Sequence, residues 1–151
     1  MPLSTPPSLL HEHQKLHDDI SRAAHLPGAL GEAAERVARI LQTHVRKEEA
    51  YALPPLGMLN DSLKPAPDAG QSREIVLLAD ELQTHMNDML AEHRMLVAAL
   101  QEFVTAARQA GRVDLADVAV RLLAHIRLEE EVIYPAAVML GQYLRLKLKL
   151  A

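Results

Sequence analysis

The sequence predicts an all-α protein: an antiparallel up-down four-helix bundle with internal pseudo-two-fold duplication. Three observations lead there. Apolar residues, 49% of the 151, recur at the i, i+3, i+4 spacing of a helix face, and no stretch shows sustained β-branched alternation. Proline and glycine fall in clusters that divide the chain into four helical segments. A phrase in the second segment, HVRKEE from His44, returns in the fourth as HIRLEE from His125.

A chain of this length can bury a real core and is read as one domain, residues 1–151. Residues 1–7 form an expected loose arm, because three prolines oppose regular structure. Ser8 is the expected cap of a first helix, roughly Ser8 to His25, with Leu9, Leu10, His13, Leu16, His17 and Ile20 on one stripe. Pro27 and Gly28 break the pattern. A second helix follows from about Ala29 to Ala52, with Val37, Ile40, Leu41, His44 and Glu48 inward, until Pro54 and Pro55 stop it.

Residues 56–72 read as a long surface connection with room for a helical turn or a lid. The third helix, roughly Arg73 to Ala110, turns Leu82, Met89, His93, Leu96 and Leu100 inward and stops at Gly111. Asp114 is the expected cap of the fourth, about Leu115 to Tyr134, which presents Val118, Leu122, His125 and Glu129. Pro135 then ends or kinks it. Residues 136–151 remain as a C-terminal extension, whose alternation in YLRLKLKL fits an edge strand better than a helix. Self-association into a homo-oligomer through this extension is preferred to contact with a membrane surface.

The net charge of −4 leaves no basic footprint for nucleic acid. Absence of cysteine excludes disulfides, thiolate zinc sites and cysteine nucleophiles. With no apolar run of membrane-spanning length and no basic, apolar leader at the N-terminus, a cytoplasmic location is expected.

The chemistry lies in the duplicated phrase. His44 and Glu48, like His125 and Glu129, stand four residues apart, which stacks an imidazole and a carboxylate one turn apart on a helix face. The first and third helices each add one inward histidine, from Glu12-His13 and Glu92-His93. A single histidine on an apolar face is usually a hydrogen-bonded core residue. Six inward polar groups, His13, His44, Glu48, His93, His125 and Glu129, are another matter, since each costs about 1–3 kcal/mol to bury unpaired. A bound cation removes that cost. Imidazole with carboxylate suits iron, manganese or zinc, with iron preferred, and more than four donors favour two ions sharing Glu48 and Glu129. His17, one turn beyond His13, is either a fifth histidine ligand or a pocket residue beside the metal. Glu49 and Glu130 read as a solvated face within reach of Arg46 or Arg127. For Tyr51 and Tyr134, simple packing is preferred to a pocket role.

In these residues the chain resembles the hemerythrin-like, HHE cation-binding domains, from Leu10 to Leu140. The motifs carrying the resemblance are the two EH pairs and the two phrases HVRKEE and HIRLEE. It implies a left-handed up-down bundle around a non-haem di-iron centre, two iron ions bridged by oxo or hydroxo and by Glu48 and Glu129. His13, His44, His93 and His125 would be terminal ligands. Oxygen-carrying hemerythrins have H-x-x-x-H on the third helix, where Val97 follows His93 here, and a longer spacing on the fourth than that of His125 and Glu129. The resemblance therefore implies binding of dioxygen, nitric oxide or peroxide for sensing, storage or stress protection rather than simple oxygen carriage. The alternative is a di-iron oxidoreductase that reduces peroxide or nitric oxide or repairs iron centres, although the sequence shows no electron-donor module.

Overall fold

A computed structural model of the protein describes residues 3–61 and 66–150. Among these the regular structure is entirely helical: α1 (Pro7–Ala23), α2 (Gly28–Lys47), α3 (Ala69–Gln109), α4 (Val113–Leu128) and α5 (Tyr134–Lys147). A five-residue π-helical turn, Glu48–Ala52, continues α2 into a 3-10 segment, Pro54–Asp61, and a second π turn, Glu129–Ile133, joins α4 to α5.

The helix ends follow local chemistry, with some departures from expectation. Ser8 is not the cap of α1. Pro6 holds that position and Pro7 begins the helix, where the missing N–H has no partner to lose and φ is already helical. Upstream, Thr5 is buried and Leu3 packs beside Ile75, Val76 and Leu144, so this part of the arm touches the body. The connection lies partly outside the described residues. Its end supplies a capping box that starts α3 four residues earlier than expected: Asp68 accepts from the Gln71 N–H, and the Gln71 side chain accepts from the Asp68 N–H. Gly111 adopts φ +70° and ends α3 as expected. Arg112, rather than Asp114, precedes α4. Asp114 lies in its first turn and accepts from the Arg112 guanidinium at 2.9 and 3.0 Å.

α1 packs on α2 and α4, and α3 packs on α2, α4 and α5. The largest apolar cluster, including Leu16, Ile20, Val37, Leu41, Leu96, Leu100, Phe103, Val118 and Leu122, fills the space among α1–α4. A second, with Tyr51, Leu53, Leu82, Met89, Ile133 and Tyr134, begins within the two π turns and continues past them. His13 and His93 fall between members of these two clusters in sequence, and the phrases from His44 and His125 lie where the first cluster gives way to the second.

The tail is not a strand. Its alternation is a coincidence of composition: Tyr134, Ala137, Gly141 and Leu144 are buried at helical spacing, whereas Leu146, only two residues after Leu144, is 78% exposed. α3 attracts this stripe because Gly141 permits close approach; a Cβ there would stand 2.3 Å from that of Ala79. Nor does Pro135 stop the chain. The π turn before it widens the backbone, and the proline becomes an early residue of α5. No helix among the described residues is long and apolar enough to cross a membrane.

Candidate metal centre

Both duplicated phrases end in the same local structure. Each π turn begins at the glutamate of H-x-x-x-E, so the Leu53 N–H bonds the Glu48 carbonyl and the Tyr134 N–H bonds the Glu129 carbonyl, five residues back. Pro54 and Pro135 each stand six residues after the glutamate. A proline ring clashes with the carbonyl four residues before it in an α-helix, and the wider π turn relieves that clash. The helical phrases thus deliver their histidine and glutamate inward, and the prolines fix where the helix widens.

The six inward side chains meet, and all are buried. They form two groups of potential ligand atoms, His44, Glu48, His93 and Glu129 in one and His13, His125 and Glu129 in the other, with the atoms of each group mutually within 4.8 Å. In the first, His44 Nε2 lies 3.2 Å from Glu48 Oε1, and His93 Nε2 lies 3.1 Å from Glu129 Oε2. In the second, His13 Nε2 and His125 Nε2 are 3.0 Å apart, and Glu129 Oε1 lies 2.6 Å from His125 Nε2 and 3.4 Å from His13 Nε2. Glu48 Oε2 also lies 3.4 Å from His13 Nε2. Each glutamate therefore turns one oxygen toward each group.

Behind every imidazole stands another carboxylate, on a neighbouring segment. Nδ1 of His44 faces Glu92 and Nδ1 of His93 faces Glu130, both at 2.8 Å; Nδ1 of His125 faces Glu12 at 3.2 Å and Nδ1 of His13 faces Glu49 at 3.5 Å. At His44 and His93 the carboxylate hydrogen-bonds Nδ1 and fixes the tautomer so that Nε2 presents its lone pair inward, whereas Nδ1 of His13 and of His125 is buried near its carboxylate without a hydrogen bond. Lys47 holds Glu92 in turn. Burial would lift the Glu92 pKa, but hydrogen bonds from Lys47 and His44 lower it.

Without a metal these groups share protons. Burial opposes charge on His125, yet its bond to Glu129 and that carboxylate's charge raise its pKa from 6.5 to about 9. His13 and His44 are raised in the same way, against burial, by Glu129 and Glu48 respectively. Burial also opposes charge on Glu129, but hydrogen bonds from His125, His13 and His93 hold it well below the usual carboxylate range. Glu48 moves the other way, raised first by burial.

A family model, the hemerythrin HHE cation binding domain, matches residues 7–137. The chain belongs to this family. No curated protein and no solved structure matches it.

The residues of this HHE domain fit a cation on their own chemistry. Glu48 Oε2 is buried with no hydrogen-bond partner, and Nε2 atoms oriented by carboxylates face further carboxylate oxygens, so acceptors converge with too few protons among them. His17 joins neither group. Half-exposed, with Nδ1 3.9 Å from Asp18, it lines a cavity of about 260 Å³ together with His13, Val45, Arg46 and Glu49. Reading Glu49 and Glu130 as merely a solvated face missed their approach to His13 and His93. Glu12 and Glu92 were visible only as the first letter of each EH pair. Tyr134 is more than packing: its hydroxyl lies 3.2 Å from Nε2 of both His44 and His93 and donates to Glu48. Burial, followed by the charges of Glu48 and Glu129, raises the Tyr134 pKa far above that of an ordinary phenol.

Proposed function

We propose that this HHE domain holds two iron ions and binds dioxygen, nitric oxide or peroxide there, in sensing, storage or protection from oxidative or nitrosative stress. The observation that carries this reading is the pair of glutamates, each directing one oxygen to each histidine group. His44 and His93 would hold one ion and His13 and His125 the other, with Glu48 and Glu129 shared. The helices would pair as an antiparallel bundle of two similar halves, in keeping with the two similar phrases and their matching π turns.

Bound iron supplies reversible ligation of small oxygen- or nitrogen-containing molecules and one-electron redox chemistry. The chain's own residues do the rest. Glu92 and Glu130 would hold His44 and His93 in one tautomer, while Glu12 and Glu49 place negative charge near His125 and His13. The aliphatic cluster of Leu16, Leu41, Leu96 and Leu122 excludes water from one side. The cavity beside His13 and His17 offers a small molecule an approach from the surface.

Metal analysis of the protein purified without added iron, followed by optical spectra of the reduced protein before and after exposure to oxygen, nitric oxide or peroxide, tests this. The expected outcome is close to two irons per chain and a stable spectral change without turnover of an added reductant. A metal content near zero, or full loading with no response to any of the three ligands, would overturn it.

A further inference from the structure

We propose that Tyr134 is itself a metal ligand, its phenolate oxygen joining His44, Glu48, His93 and Glu129 around one ion, so that the two metal positions are chemically unlike. This rests on the two-iron reading above.

The first ground is distance. Two ligands about 2.1 Å from one ion and at right angles to each other lie about 3.0 Å apart. The Tyr134 hydroxyl stands 3.2 Å from both His44 Nε2 and His93 Nε2. These are also the separations of His44 from Glu48, 3.2 Å, and of His93 from Glu129, 3.1 Å. The phenol oxygen therefore sits among its neighbours as one more donor of the same set.

The second ground is proton accounting. A phenol carries one proton. Nδ1 of His44 and of His93 faces a carboxylate, so each neutral ring presents an Nε2 lone pair toward the hydroxyl. Glu48 Oε1 adds a third acceptor. One proton serves one of the three, whereas a cation serves all of them and the phenolate as well. On ligation the phenolic proton is released to water together with the protons that the other donors lose.

The third ground is the local fold. In an uninterrupted α-helix, residues five apart point about 140° away from each other, and Tyr134 would face away from Glu129. The π turn between them lets both side chains reach His93 Nε2. Tyr134 is only 1% exposed, and its ring is stacked on that of His93 with centroids 5.6 Å apart.

The asymmetry follows from the sequence. The position matching Tyr134, five residues after Glu48, is Leu53, which packs in the apolar cluster. The group of His13 and His125 thus has no phenol, and the cavity lined by His17 adjoins it. The exogenous ligand therefore binds at the ion on the His13 side.

The test uses the full chain loaded with ferric iron. Wild type should show a visible phenolate-to-iron(III) charge-transfer band, with tyrosine ring modes enhanced in resonance Raman spectra excited within it. Tyr134→Phe should lose the band and the ring modes while retaining helical circular dichroism and bound iron, and Tyr51→Phe should keep them. Wild type carrying two irons without these signals overturns the ligand assignment even if Tyr134→Phe fails to fold, and so does a band that survives in Tyr134→Phe. Wild type that binds no iron overturns the two-iron reading, and this inference with it.

Discussion

Glu129 touches three imidazoles, and Glu129→Gln separates its charge from its shape. The amide keeps the volume and one oxygen, but it removes the charged hydrogen-bond partner that, ahead of Glu12 and Glu48, raises His125 from 6.5 to about 9 against the effect of burial. At about 1.4 kcal/mol per tenfold change in proton affinity, this raise corresponds to about 3 kcal/mol of folding free energy. Because the folded protein binds the His125 proton more tightly than the unfolded chain, the contribution is complete below pH 6.5 and is lost as pH rises through about 9. Glu129 shifts in the opposite direction from its ordinary 4.5, so its own contribution is present above that value and lost as pH falls. Because Glu12 and Glu48 supply part of the raise and remain in the variant, the metal-free variant should be less stable than wild type by up to about 3 kcal/mol near pH 6. With a urea m-value of about 1–3 kcal/mol/M, the midpoint falls by up to about 1–3 M. By pH 10 the gap should narrow, as wild type loses the same contribution. Urea titrations of both chelator-treated proteins at pH 6, 8 and 10 measure this. An equal gap at pH 6 and pH 10 would refute the pairing of His125 with Glu129 as its source.

Three further outcomes are expected. Glu92→Gln weakens the hold on His44 Nδ1 and should lower metal affinity about 10- to 100-fold, read by competition with a chromophoric chelator, with stoichiometry unchanged at saturating metal. Gly141→Val drives a side chain into Ala79 and should cost about 1–3 kcal/mol, with faster proteolytic cleavage within α5 than in wild type. Asp68→Ala removes the cap of α3 and should lower stability by about 1 kcal/mol in urea titration without changing metal content.

The sequence by itself determined the all-helical class and the six inward side chains, because both are local. Helical periodicity places His44 beside Glu48 and His125 beside Glu129 whatever the neighbours are, and repetition of the phrase separates a site from a chance pair. It also pointed to Gly111 as the end of α3, since a left-handed residue is a property of one position. Tertiary structure decided what lies across helices. The partners of Nδ1 at His13, His44, His93 and His125 come from other segments, and no spacing along the chain encodes the distance from Glu12 to His125 or from Glu92 to His44. Pro54 read as a stop, and the helical run from α2 does end at Ala52 before it. Pro135 read as an end or a kink, and the chain passes it through a π turn into α5, which continued because Gly141 could lie against Ala79. For the same reason Tyr134 reached the site: its direction depends on one widened turn, and only the packed helices bring His44, Glu48 and His93 to meet its hydroxyl.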